Sequence, residues 1–121
     1  MAIIKPFEAV RPQPEFAVQV ASLPYDVMNS AEAREMAKGN PNSFLHVSRA
    51  EIDFPEGTDE HSQAVYDKAR DNFYKLMEDG VLFQDAYPHM YIYSQIMDGR
   101  RQTGLVACSS VEDYFNDVIK K

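Results

Sequence analysis

Apolar residues recur every three or four positions through the longest patterned stretch of the chain, residues 62–79. This spacing predicts an amphipathic helix with one buried stripe: Val65, Ala69, Phe73, Leu76 and Met77. Gly80 follows directly, and a glycine in this place is typical of a helix that ends on a left-handed residue. The stretch is therefore predicted to be the longest helix of the chain.

Shorter helices are predicted from capping residues and from Pro and Gly, near residues 15–21, 30–38 and 111–116. In the first, we expect buried side chains at Phe16, Val18 and Val20. The second has Asn29 or Ser30 as N-cap, with Gly39 and Pro41 after its end. The third has Ser110 and Asp113 at the spacing of a capping box.

Strand-like patterns occupy residues 2–10, 44–54 and 89–108. The first contains Pro6, so it is predicted to be an edge strand or an irregular extended segment. The second, SFLHVSR continuing to residue 54, alternates like a strand. The third contains Asp98-Gly99 between two alternating runs, which strongly predicts a β-hairpin.

Together these elements predict an α+β fold. We expect a small, mainly antiparallel or mixed sheet with the Asp-Gly hairpin, packed by one long helix and several short ones. A length of 121 residues corresponds to a single domain, 1–121.

Charge and cysteine content narrow the classes of partner and location. A formal net charge of −7 argues against nucleic acid and against anionic membrane surfaces, because both require a basic surface. The N-terminus contains no apolar run typical of a signal peptide, so we expect a cytoplasmic protein. Cys108 is the only cysteine and follows an apolar run, which predicts a small buried hydrophobic residue.

The candidate chemistry is concentrated between Ser22 and Arg49. Asp26 follows Pro24 and Tyr25 in a rigid turn, where its carboxylate is placed to act as a base or a cation ligand, or to bond nearby backbone amides in an Asx-turn. His46 is a weaker catalytic candidate, with a hydrogen-bonded structural role as the alternative. No histidine or cysteine lies at ligand spacing from another, so we expect no metal site.

Two basic groups are candidates for binding a substrate or a phosphate. Arg49 lies close to Glu51 and Asp53, which allows either surface ion pairing or the edge of a polar pocket. The hairpin offers guanidinium, amide and hydroxyl groups around its turn, from Arg101, Gln102 and Thr103. The alternative for this second group is that its polar side chains only contact solvent on the hairpin surface.

Several strings, taken together, resemble a known family: MAIIKPFEAVRP, PYDV, AEAREMAKGNPNSFLHVSRAEID, YDKARDNFYKLMEDGVL and MDGRRQTGLVACSSVEDYFNDVIKK. They are similar to the N-terminal part of the bacterial and archaeal family catalogued as domain of unknown function 1015. The strings are spread over essentially the whole chain. One departure is Leu23-Pro24, where the family has Pro-Pro before Tyr-Asp.

The resemblance implies that the chain is the N-terminal fragment of a protein of roughly 400 residues, an argument by family analogy alone. The family's later Asp-Gly-His-His-Arg motif, absent here, is similar to one in the ParB-like superfamily, which includes kinases of free serine. The full-length protein is then expected to be a phosphotransferase for a small hydroxyl metabolite, using a nucleotide or polyphosphate with Mg.

By the same analogy, Tyr25, Asp26, Arg49 and the Arg101–Thr103 group are expected to help form a substrate or phosphate pocket. The fragment alone is expected to be inactive, because the main catalytic groups would lie outside it. The alternative is a non-catalytic binding or assembly module. A homo-oligomer is also expected, through surface that truncation leaves open.

Overall fold

The computed structural model describes residues 2–119. They divide into two compact units, one formed by residues 2–10 with 84–119 and the other by Arg11–Phe83. The helices are α1 (Ala17–Val20), α2 (Ser30–Met36), α3 (Leu45–Ser48), α4 (Gln63–Glu78) and α5 (Val111–Phe115). The strands are β1 (Ile4–Lys5), β2 (Val10–Pro12), β3 (Leu82–Gln84), β4 (Tyr91–Met97), β5 (Arg100–Val106) and β6 (Cys108–Ser109).

The α+β prediction is confirmed, but the strands do not form one sheet. They form three separate two-stranded ladders, β1 with β6, β2 with β3, and β4 with β5. The long helix and the helix at 30–38 are confirmed with small differences at their ends. The expected strand at 44–54 is wrong, because this segment forms helical turns and contributes no strand to a sheet.

The segment 44–54 folds as α3 followed by a 3₁₀ turn, Ala50–Asp53. The hydroxyl of Ser43 accepts a hydrogen bond from the Leu45 amide at 3.2 Å, and the Arg49 amide closes the helical turn on the Leu45 carbonyl at 2.8 Å. Short apolar runs fit both helix and strand periods, so alternation over seven residues does not decide between them.

Two hydrophobic clusters hold the Arg11–Phe83 unit together. One contains Met28, Ala33, Ala37, Leu45 and Ile52. The other contains Val20, Leu76, Val81 and Leu82, with partly buried side chains against it: Phe16, Phe44, Val47, Phe73 and Met77. In α1 the predicted burial is confirmed for Val20, but Val18 is 92% exposed. The single turn of α1 directs Val18 away from both clusters.

Helix α4 ends as its sequence predicts. Gly80 has φ +75°, and its amide bonds to the Met77 carbonyl while the Val81 amide bonds to the Leu76 carbonyl. These two bonds, with Val81 and Leu76 in one cluster, form a Schellman motif. The motif turns the chain directly from α4 into β3.

In the other unit, β4 and β5 form the predicted hairpin. Asp98 and Gly99 have φ values of +53° and +76°, as a type I′ turn requires, and Met97 lies opposite Arg100. The predicted capping box of α5 is wrong. The Ser110 side chain makes no capping bond, and the Asp113 carboxylate instead accepts a hydrogen bond from the Ile3 amide at 2.8 Å. Cys108 is exposed rather than buried, because it lies in the β1–β6 ladder, whose strand residues are all exposed.

Candidate functional site

The Pro24–Tyr25–Asp26 segment forms a fixed turn with a free carboxylate. Pro24 is extended and precedes a 3₁₀ turn, Tyr25–Val27, in which Asp26 is exposed. Within residues 2–119 the Asp26 side chain makes no hydrogen bond or ion pair, so the Asx-turn alternative is not formed. The carboxylate is therefore available to a ligand.

Arg49 connects this turn to the rest of the Arg11–Phe83 unit. Its Nε donates to the Tyr25 carbonyl at 3.1 Å, and Nη2 donates to the Met28 carbonyl. Its Nη1 donates to the carboxylates of Glu51 at 3.0 Å and Glu60 at 2.9 Å. A guanidinium has five N–H donors, so these contacts leave little hydrogen-bonding capacity for a phosphate.

Glu51 is the buried acid of this network, with a side chain only 6% exposed. The hydroxyl of Ser30, at the start of α2, donates to it at 2.9 Å. Buried carboxylates require such partners because the loss of hydration is otherwise uncompensated. Asp53, the other acid that the sequence placed near Arg49, pairs with His46 instead.

These residues line one cleft of about 340 Å³, formed by Tyr25, Asp26, Ser48, Arg49, Glu51, Glu60, His61 and Tyr66. The phenol oxygen of Tyr66 lies 3.1 Å from Nδ1 of His61. Both tyrosines of the cleft, Tyr25 and Tyr66, are more than half exposed. The single positive charge of Arg49 is already paired with the carboxylates of Glu51 and Glu60. The free carboxylate of Asp26 therefore makes the cleft more acidic. It is suited to hydroxyl or ammonium groups rather than to polyanions.

The sequence pattern did not indicate Glu60, His61 and Tyr66 as residues of this site. Glu60 and His61 directly precede Ser62, the N-cap of α4, and Tyr66 lies one helical turn into that helix. This spacing puts the three residues at the same end of α4. The sequence pattern does not predict the helical conformation of residues 44–54, which brings Arg49 to this end of α4.

His46 lies in a different cleft, of about 500 Å³, between side chains of α4 and the residues Pro41, Asn42 and Asp53. Its Nδ1 lies 2.8 Å from the Asp53 carboxylate and its Nε2 lies 3.0 Å from the Asn40 carbonyl. Both neighbours are acceptors, so both nitrogens donate only when the ring is protonated. Asn72 holds the pair by donating to the Asp53 carboxylate and the His46 carbonyl. In this arrangement the ring offers no nitrogen to a substrate.

The remaining predicted residues belong to the other unit. Arg101, Gln102 and Thr103 lie on β5, and all three are exposed. The Thr103 hydroxyl lies 3.0 Å from that of Ser94 across the hairpin. The structure thus brings Tyr25, Asp26 and Arg49 together in one cleft, while His46 lines another.

Across residues 2–119, no group of three or more His, Cys, Asp or Glu side chains is arranged to hold a metal ion. No helix in the same part of the chain is both long and apolar enough to cross a membrane.

The family model described as "Protein of unknown function (DUF1015)" matches residues 4–121. Neither the curated proteins nor the solved structures gave a match. Because the family model covers nearly the whole chain, the chain belongs to the DUF1015 family of proteins of unknown function.

Proposed function

We propose that the cleft beside the Pro24–Tyr25–Asp26 turn binds a small hydroxyl metabolite, and that the chain contributes this site to a phosphotransferase. The observation that carries the proposal is the free, exposed carboxylate of Asp26 on a fixed turn at the edge of a polar cleft. A carboxylate in this position can accept the proton or the hydrogen bond of a hydroxyl group.

The charges of the cleft favour the acceptor substrate over the phosphoryl donor. Arg49 is already bonded to Glu51, Glu60 and two carbonyls, so it supports the turn rather than a phosphate. Phosphoryl transfer also requires groups that neutralise the transferred phosphate. We therefore assign binding of a nucleotide or polyphosphate, with Mg, to parts of the full-length protein outside this site. The chain alone is expected to transfer no phosphoryl group.

The experiment is a thermal-shift titration of the chain with small hydroxyl compounds, including free serine, threonine, ethanolamine and glycerol. Asp26→Asn removes the acceptor charge with little change in size. Glu35→Gln is the matched control, because Glu35 is an exposed residue on α2 outside the cleft and loses the same charge. We expect a ligand-dependent rise in Tm for the wild type and for E35Q, and at least a tenfold weaker response for D26N.

Equal shifts for D26N and the wild type would overturn this assignment, and so would no shift with any hydroxyl compound at millimolar concentration. A second assay incubates the chain with Mg-ATP or Mg-polyphosphate and each hydroxyl compound. A phosphorylated product from the chain alone would contradict the expectation that it is inactive.

The second candidate function is a non-catalytic assembly role, and the β4–β5 hairpin favours it. In its unit, residues 2–10 with 84–119, no hydrophobic side chain is buried, and several on the hairpin are more than 60% exposed. Such surface is typical of a site that another chain covers. Size-exclusion chromatography with light scattering tests this role, and a monomer at all concentrations would contradict it.

A further inference from the structure

The β4–β5 hairpin carries apolar side chains that its own unit does not cover. Ile92, Ile96 and Met97 on β4 are 78%, 64% and 70% exposed. A hairpin of two strands is marginally stable in water, and further strands or packing normally stabilise it. Among residues 2–119, no strand pairs with the outer edge of either β4 or β5.

The two free edges differ in how they are protected against pairing. β5 begins with Arg100 and Arg101 and contains Gly104. Charged residues on an edge strand discourage pairing with another chain. β4, with the sequence YIYSQIM, contains no charged residue, no Pro and no Gly. Its edge is therefore the one that can accept another strand.

We infer that β4 pairs antiparallel with β4 of a second copy of this chain, with the two-fold axis at Ser94. Met97 and Arg100 close a two-residue turn, so this pair exchanges backbone hydrogen bonds. By alternation, Ile92, Ser94 and Ile96 direct their backbone groups to the free edge. These three residues are the ones that a two-fold axis at Ser94 places opposite one another.

In this register Ser94 lies opposite Ser94 of the second copy, and Ile92 lies opposite its Ile96. Each such pair exchanges two backbone hydrogen bonds. The isoleucines meet on one face of the resulting four-stranded sheet, where apolar cross-strand pairs contribute favourably. Pairing of two β5 strands would instead place the charged Arg101 of each copy opposite Leu105 of the other, on a strand that offers no acidic residue to pair with it. Charge thus selects β4.

The size of the contact sets the expected strength. Seven residues of strand are about 24 Å long at ~3.4 Å per residue, and one strand edge falls well below the ~800 Å² per partner of a standard interface. We therefore expect a reversible dimer whose population depends on concentration. Because each copy has one uncharged edge, the assembly closes at two chains.

The test uses cysteine cross-linking in a Cys108→Ser background, which removes the single exposed thiol. Residues of a hydrogen-bonded antiparallel pair have Cα atoms ~5.5 Å apart, within disulfide range. Ser94→Cys is therefore expected to form a disulfide-linked dimer under mild oxidation. Thr103→Cys is the matched control, since Thr103 is the exposed neighbour of Ser94 on β5. We expect at least a tenfold lower dimer yield from it.

Two charge substitutions provide an independent readout by light scattering. Ile96→Lys should abolish the dimer, and Leu105→Lys should leave it intact, because Leu105 is a similarly exposed apolar residue on the charged strand. Circular dichroism checks that both variants keep the wild-type fold. A species larger than a dimer, equal cross-linking of both cysteine variants, or a dimer that survives I96K would overturn the inference.

The inference rests on the assembly role proposed above, and the outcomes separate the two. A dimer without S94C cross-linking would overturn pairing through β4 but leave self-assembly in place. A monomer at all concentrations would overturn both. Neither result bears on the ligand cleft, which is tested through Asp26.

Discussion

The network around Arg49 makes a quantitative prediction about stability. Replacing Arg49 by Met keeps much of the side-chain volume but removes the guanidinium, whose contacts reach Tyr25, Met28, Glu51 and Glu60. The Arg49 side chain is 14% exposed and that of Glu51 is 6% exposed. The substitution therefore leaves a buried carboxylate with the Ser30 hydroxyl as its remaining hydrogen-bond partner.

The magnitude follows from the environment of each contact. Removing one member of a buried ion pair costs about 3–5 kcal/mol, because the other charge stays uncompensated. The pair with Glu60, whose side chain is 44% exposed, adds less than about 1 kcal/mol. We expect R49M to lower the free energy of unfolding by about 3–5 kcal/mol, a large part of the ~5–15 kcal/mol that stabilises a domain.

The measurement is urea unfolding followed by far-UV circular dichroism, since the chain contains no Trp. Glu51→Gln alone should cost less than R49M, and the double variant R49M/E51Q should be about 1–3 kcal/mol more stable than the sum of the single effects predicts. Arg70→Met is the matched control. Arg70 is 59% exposed and pairs only with surface acids, so we expect a loss below about 1 kcal/mol.

A stabilising role of Arg49 toward Glu51 would be contradicted if R49M were no less stable than R70M, or if the effects of R49M and E51Q simply added. Either result would mean that Arg49 does not stabilise Glu51 and is free to serve a ligand. A stable R49M that lost ligand binding would then assign Arg49 to the substrate.

Two further predictions concern helix ends and use the same urea titration. Gly80→Ala should cost about 1 kcal/mol of unfolding free energy, because φ is positive at this position although nothing crowds the added carbon. Gly104 has no positive φ, so Gly104→Ala is the control and should not destabilise the chain. Equal losses in the two variants would contradict a backbone origin. Asn29→Ala should cost about 1 kcal/mol of unfolding free energy by breaking the capping box with Glu32. Ser110→Ala is the control and should cost less than about 0.5 kcal/mol, because the Ser110 hydroxyl makes no capping bond. An equal loss at both positions would contradict the capping assignment.

Where interactions between neighbouring residues decide the conformation, the sequence alone predicts the structure correctly. Asp98-Gly99 requires left-handed backbone at both turn residues, and the hairpin follows in the predicted register. The apolar stripe of α4 and its glycine end were likewise readable, since sixteen residues of one period leave little ambiguity. The same holds for the capped helix that begins at Ser30.

The candidate site was predictable in part. The Pro24–Tyr25–Asp26 turn indicated Tyr25 and Asp26 as site residues, and the polar surroundings of Arg49 indicated Arg49. The sequence did not indicate which side chains pair with Arg49. Glu51 and Asp53 follow Arg49 by two and four residues, yet only Glu51 of the two pairs with it. The 3₁₀ turn at Ala50–Asp53 decides this by directing Asp53 to His46.

The capped and periodic elements, the acidic charge and the rigid Tyr25–Asp26 turn thus follow from the local sequence. The conformation of residues 44–54 depends instead on packing, because Leu45 joins one hydrophobic cluster while Phe44 and Val47 pack against the other. Burial of these three side chains on two sides favours a helical turn over an extended strand, although both periods fit the local pattern. That choice, made by packing between distant residues, brings Arg49 to the turn and forms the cleft.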